Sequence, residues 1–340
     1  MSSPSAATQP SPELFFETIN AYQRTAALKT AIELELFTAI GEGATTAADI
    51  ARRVQAAERG VRILCDYLVV TGFLTKDGNR YGLTPDSAMF LDRRSRAYLG
   101  GTVGFLGAPA ITSSFEHLTA SVRKGGTAQS AEGSMAPDHP MWVDFARSMM
   151  PMMALPAELM AKLLGADTGD RWKVLDIAAS HGVFGLTMAR HNPNAEIVAV
   201  DWANVLEVAK ENAKAAGAAE RYRTLPGSAF DVDFGGGYDL VLLTNLLHHF
   251  DAPTCEQLLR KVHAALKPGG RAVVLEFVPN PDRVSPPIPA SFALIMLAGT
   301  PAGDSYTFSE YQQMFRNAGF ASSELHPLPP TLQHLVVGRK

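Results

Sequence analysis

Residues 174–185, VLDIAASHGVFG, constrain the fold of this chain more than any other stretch. A short apolar run there turns abruptly through small residues into a helical pattern. A second run, IVAVDW, stops on Asp201 and Trp202. Strand, tight turn and helix, then a strand tipped with an acid, is how a doubly wound α/β sheet holds a nucleoside. The turn lets backbone approach the ligand and the acid takes the ribose diol. Neither the phosphate loop GxxxxGK[ST] nor the dinucleotide spacing GxGxxG is present; Gly182 and Gly185 remain, with Ala178 and Ser180 where glycines would stand.

Strand-like runs at 173–177, 196–200, 222–225, 240–244, 272–277, 323–326 and 334–337 alternate with helical ones, which implies a parallel sheet. Asn204 is expected to cap a helix stopping at Gly217, Asp251 and Pro253 to open another, and Thr307 with Glu310 to form a capping box. Only residues 327–333 join the last two runs, too few for a helical crossover, so these pair antiparallel. A helical connector, 105–165, precedes the sheet; a Gly/Ser-rich stretch at 125–134 and the prolines Pro151 and Pro156 break it.

Residues 13–104 read as a separate, mostly helical domain after a disordered tail, 1–12. Leu14, Ile19, Tyr22, Ala26 and Leu36 recur at helical spacing. Thr46 caps a short helix, a second runs over 58–70, and a hairpin turns at Asp77-Gly78-Asn79, a winged-helix pattern. Such a pattern raises DNA binding, and a regulator that senses its ligand is the alternative from another class. Between Gly41 and Thr84, however, six Lys/Arg face five Asp/Glu, without the basic stripe that phosphate contacts demand. The whole chain carries a formal charge of −4, which gives no general attraction to nucleic acid or anionic membrane. Its two cysteines cannot build a disulfide framework, and its longest apolar run, 292–298, is far short of the roughly 20 residues that span a bilayer. A cytoplasmic protein is expected.

The acid-and-small-residue turn resembles motif I of the S-adenosylmethionine methyltransferases, with Asp176 as its acid. Together with the N-terminal helical domain and closing hairpin, the chain resembles the dimeric small-molecule O-methyltransferases of plants and their bacterial relatives. That resemblance implies a Rossmann-like sheet of order 3-2-1-4-5-7-6, S-adenosylmethionine as donor with S-adenosylhomocysteine as product, and a homodimer through the N-terminal domain. It puts donor contacts on Asp176, Ala178, Gly182, Asp201, Trp202, the loop of Gly227, Ser228, Ala229 and Phe230, and Asn245. Ser228 stands where the family has an aspartate on adenine, and Asp231 is a substitute. Leu247-His248 aligns with the Leu-His of the family's Leu-His-Asp-Trp, whose histidine is the general base; His249 and Phe250 replace the Asp and Trp. Met149 closes a Phe-x-x-x-Met beginning at Phe145 and, with His249, faces the acceptor. Glu276 and Asp304 are candidates for the carboxylates that flank the base.

Methyl transfer from a sulfonium is an in-line displacement, so alignment supplies much of the rate. A phenol ionises near pH 10, and a base that takes its proton adds on the order of 10²–10⁴-fold. His248 follows the fourth strand of the sheet, at the edge where α/β folds bind ligands, though a backbone-satisfied helix-start histidine fits the same position. Asp176 reads equally as a donor contact or as a loop anchor. Trp202 and Phe230 can flank adenine, or simply pack. Adjacent side chains on a helix diverge by about 100°, so His248 and His249 are not expected to share a metal, and no HxxxH or CxxC accompanies them. The expected reaction is O-methylation of a small, aromatic hydroxylated molecule; C-methylation of an enol, keto acid or pigment ring is the alternative.

Overall fold

The computed structural model describes residues 10–129 and 139–340. Residues 1–9 of the expected tail and 130–134 of the Gly/Ser-rich stretch lie outside them. The chain divides after Val103 into two compact units.

In the first unit, α1 (Glu13–Ile19), α2 (Ala21–Glu33), α3 (Leu36–Gly41), α4 (Ala47–Arg53) and α5 (Glu58–Val70) lead to the hairpin β1 (Leu74–Asp77) and β2 (Arg80–Leu83), then α6 (Pro85–Phe90). The Thr46 hydroxyl accepts the Asp49 N–H at 3.2 Å, which satisfies a free donor of the first turn of α4. Val61, Cys65 and Leu68 of α5 recur one helical turn apart and pack with Leu36, Phe37, Ile50 and Tyr81. The apolar spacing of α1 does not serve this core: Leu14, Phe15, Ile19 and Tyr22 are each more than half exposed.

The division falls at the first residue of α7 (Val103–Leu106), and the second unit continues with α8 (Pro109–Glu116), α9 (Leu118–Lys124), α10 (Met141–Ser148) and α11 (Met150–Leu164). Then come β3 (Lys173–Ile177), α12 (Val183–His191), β4 (Glu196–Asp201), α13 (Ala203–Ala215), β5 (Tyr222–Pro226), β6 (Tyr238–Thr244), α14 (Ala252–Ala265), β7 (Leu266–Glu276), α15 (Pro287–Gly299), α16 (Phe308–Asn317), β8 (Ser322–Pro327) and β9 (His334–Arg339). The sheet order is β5-β4-β3-β6-β7-β9-β8, with β9 antiparallel to both neighbours. This is the expected 3-2-1-4-5-7-6 order. Alternate strand residues serve opposite layers: Val174, Leu240 and Val273 on one face, Leu175, Val241 and Val274 on the other.

Three local expectations are corrected. Pro156 does not break the connector, because α11 runs through it; Pro151 occupies the first turn, where its missing N–H has no helical partner to lose. Asn204 is not the cap of α13. Trp202 holds that position, and the Asn204 amide oxygen accepts the Val205 N–H instead. Strand β7 starts at Leu266 rather than at residue 272, with Gly269 in the left-handed region (φ 75°) inside it and an irregular register against β6.

Candidate active site

The carboxyl ends of β3, β4, β5, β6 and β7 gather the residues the sequence singled out. After β3 the backbone enters the left-handed region at every second residue, Ala178 (φ 55°), Ser180 (φ 53°) and Gly182 (φ 74°). The N–H groups of this concave turn are largely committed within the protein, Ala179 to the Val200 carbonyl at 3.1 Å and Gly182 to the Ala179 carbonyl at 2.7 Å, so it offers a ligand close backbone approach more than free donors. Only Gly182 takes the left-handed geometry without steric penalty. Its position is also crowded, since a Cβ there would lie 2.6 Å from the Tyr222 hydroxyl. Gly185 lets α12 settle on the sheet; a Cβ would meet Ile197 at 2.8 Å and the Asp176 carboxylate at 2.9 Å.

Asp176 is fully buried. One carboxylate oxygen accepts the Gly185 N–H at 3.0 Å, and the other has no partner. Burial pushes the carboxyl up to about 7. The Tyr222 hydroxyl and the Ser180 hydroxyl are likewise buried and unpartnered. Burial, with Asp176 and Asp201 nearby, drives the Tyr222 phenol well above its usual range. Three orphaned polar groups around one loop suit a polar, charge-bearing ligand. The Asp201 carboxylate accepts the N–H groups of Ser180 at 2.8 Å and Trp202 at 2.7 Å, while burial raises it to about 6. A carboxylate has about four lone-pair sites, so two remain for a diol.

After β5, the Gly227 N–H donates to the Asp201 carbonyl at 2.9 Å, and Gly227 (φ 135°) has no room for a side chain beside Val232. The Ser228 hydroxyl accepts the Phe230 N–H at 3.2 Å. Lys261 of α14 ties this loop by donating to the carbonyls of Ala229 (3.0 Å) and Phe230 (2.9 Å). Phe230 meets Phe250 edge-on, whereas Trp202 packs with Ala146, Val205 and Val208. Asp231 is exposed. Asn245 (φ 53°) follows β6; its side chain donates to the Met153 sulfur at 3.5 Å and accepts from Gln333.

His248 is buried in the short turn Leu247–His249. Its Nδ1 lies 2.5 Å from Glu276 Oε2 at the end of β7, and Glu276 Oε1 accepts the Leu246 N–H at 3.0 Å. Of the two candidate carboxylates, Glu276 is therefore the one on the ring; the Asp304 carboxylate pairs with Arg283 at 3.2 Å. The histidine rings do not diverge as an ideal helix implies. His248 Nε2 and His249 Nε2 are 3.2 Å apart, because the Leu247–His249 turn is not α-helical and its side chains fold together. Among the described residues no cluster of three or more metal-ligating side chains occurs. Burial, then His248, depresses His249 well below the usual histidine range.

Met149 is buried beside Phe145 and Met153. Trp142 of α10 meets the His249 ring edge-on at 5.4 Å, and Phe292 of α15 meets His248 at 4.8 Å. His181, stacked on Phe145 and lowered to about 4 by burial, was not singled out in the sequence. Neither were Trp142, Tyr222 and Phe292; Trp142 stands three residues before Phe145 and Tyr222 five before Gly227, but none of the three belongs to a motif, and only packing brings them in.

A doubly wound sheet with a left-handed loop after its first strand, an acid on its second and a buried Glu–His pair at the same edge defines a nucleoside-binding α/β enzyme. Residues 115–321 match the O-methyltransferase domain and residues 16–93 the O-methyltransferase dimerisation domain, so the chain belongs to the O-methyltransferase family. It is 28% identical to the 3-hydroxy-5-methyl-1-naphthoate 3-O-methyltransferase of Streptomyces sahachiroi, over 91% of this chain and 89% of that one. A crystal structure from Nostoc punctiforme, itself assigned only provisionally as an O-methyltransferase, is 58% identical with a TM-score of 0.95, over 98% of this chain and 100% of that one. Human N-acetylserotonin methyltransferase, solved in complex with S-adenosylmethionine, shares the fold at 22% identity and a TM-score of 0.84, over 99% of both chains.

Proposed function

We propose that the protein transfers a methyl group from S-adenosylmethionine to a hydroxyl of a small aromatic acceptor. The observation that carries this reading is the buried Glu276–His248 pair, 2.5 Å apart, at the same sheet edge as the Asp201 carboxylate. The bound donor supplies an electrophilic methyl on a positively charged sulfur. Asp201 accepts the two ribose hydroxyls, for which its free lone pairs are suited. The concavity from Ala178 to Gly182 and the unpartnered Asp176 oxygen receive the amino-acid end of the donor, directly or through water. Trp202, Gly227, Ser228, Ala229 and Phe230 border the adenine, and Asn245 supports the floor between them. Glu276 fixes the His248 ring, and His248 holds the proton that the acceptor gives up. Met149 and His249 contact the acceptor, and the aromatic side chains Trp142 and Phe292 favour a flat one.

The exposed apolar face of α1 and α2, which begins just before the region matching the dimerisation domain and continues into it with Phe16, Ile19 and Tyr22, supports a homodimer. Among the described residues no helix is long and apolar enough to cross a membrane, which is compatible with work in the cytoplasm.

Calorimetric titration tests the donor: S-adenosylmethionine and S-adenosylhomocysteine are expected to bind in the micromolar range, with Asp201→Ala weakening both by about tenfold or more. No binding at high micromolar concentration overturns the proposal. A panel of hydroxynaphthalenes, phenols and keto acids with labelled methyl donor then separates O- from C-methylation by product mass.

A further inference from the structure

The His248–His249 contact has a direction. An ionised carboxylate only accepts, so where Glu276 takes the hydrogen of His248 Nδ1, a neutral His248 keeps a bare lone pair on Nε2. His249 Nε2, 3.2 Å away, must then be the donor. This leaves His249 Nδ1 as an unprotonated acceptor, and that atom is buried without a partner in the protein. Aromatic rings stand against both imidazoles, Trp142 on His249 and Phe292 on His248. A buried acceptor beside aromatic walls is the place for a phenolic hydroxyl.

Building on the function proposed above, we infer that the acceptor's proton enters at His249 Nδ1 and is relayed through the two Nε2 atoms to His248, which Glu276 holds. His249 is then the catalytic residue that touches the acceptor, and Glu276 is a positioning residue. As the acceptor's O–H bond breaks toward His249 Nδ1, its oxygen bonds to the methyl carbon. The carbon–sulfur bond breaks with its electron pair passing to the sulfonium, which becomes a neutral thioether. His249 gives its Nε2 hydrogen to His248 Nε2, and the pair later releases one proton to water. Burial and the neighbouring ring disfavour a charged His249, so it passes the proton on instead of storing it.

Two measurements on the full-length protein test the relay. Nitrogen-15 spectra of histidine-labelled free protein near pH 7.5 are expected to place the hydrogen of His248 on Nδ1 and that of His249 on Nε2. His249→Gln is expected to lower kcat for 2-naphthol about 100-fold or more while S-adenosylhomocysteine affinity stays within about threefold. The loss should shrink at least about tenfold for 1-nitro-2-naphthol, whose more acidic hydroxyl needs little help from a base. A fold or packing defect would penalise both acceptors equally. Turnover of His249→Gln within about threefold of wild type, equal losses for both acceptors, or a His248 hydrogen on Nε2 overturns the relay and leaves methyl transfer itself standing. Failure of the wild-type protein to bind S-adenosylhomocysteine removes the underlying function and the relay with it.

Discussion

Asp176 shows how one buried carboxyl couples stability to ligand binding. Its folded value, about 7, lies above the 3.8 of an exposed aspartate, so the folded chain holds this proton more tightly than the unfolded chain does. Its contribution is fully present below about pH 4 and is lost as pH rises through 7. Asp201, raised to about 6, adds a parallel loss over a narrower window. Asp176→Asn is expected to raise the melting temperature of the free protein by several degrees at pH 8 and hardly at all at pH 4, in a thermal-shift series. Wild type is expected to bind S-adenosylmethionine more tightly as pH rises from 6 to 8, since a cationic donor favours the charged carboxylate, and the same change should remove that strengthening. A melting curve for the variant that falls in parallel with wild type refutes the assignment. The position of Asp201 at a strand end was legible because an acid closing an apolar run is a local signal. The sequence offers Glu276 and Asp304 alike as partners of the base; that Glu276, 28 residues after His248, holds its ring was not legible, because strand pairing between β6 and β7 brings them together.

The elements were legible where local chemistry decides them. Thr46, Asp251 and Thr307 cap their helices as read, each accepting from a backbone N–H two or three residues into the helix. The cap of α13 differs from the expected one: Asn204 carries the right side chain, but Asp201 and Trp202 already fix the chain's entry. The loop after β3 is the informative case. Its sequence lacks the alternating glycines, yet Ala178 and Ser180 take up glycine-like dihedrals because the strand before and the helix after them over-determine the path. Left-handed backbone costs a non-glycine residue about 1–2 kcal/mol. Ser180→Gly is therefore expected to leave stability unchanged or raise it by less than about 1 kcal/mol, after the added chain entropy of glycine is counted. Gly182→Ala should lower the melting temperature by at least 2–4 °C and weaken donor binding, because it adds both that strain and a contact at 2.6 Å with the Tyr222 hydroxyl. Calorimetry and differential scanning on the two variants would refute this if they behaved alike.

At the scale of the whole molecule, the first unit leaves apolar surface uncovered. The helical spacing of Leu14, Ile19 and Tyr22 was legible, but the direction of that stripe was not: it points outward, not to the core of its own unit. An apolar face of this kind signals a partner surface, and a second copy of the chain is the occupant the matched dimerisation domain supports. Replacing Leu14 and Ile19 together by Asp is expected to convert a dimer to a monomer in light scattering behind size exclusion. An unchanged mass would refute the placement of the interface on this face.

The sequence by itself determined the alternation of strands and helices, the antiparallel closing hairpin and the acid-tipped edge. Those features follow from apolar periodicity, turn residues and chain length, all short-range quantities. Tertiary structure decided which carboxylate meets His248, that His249 turns back on its neighbour, and that Tyr222 and Ser180 wait unpartnered beside Asp176. Glu276 reaches His248, and Tyr222 reaches Asp176, only because strands distant in sequence lie side by side in one sheet, and the turn of His249 onto His248 depends on a local backbone path that the residue types alone do not specify.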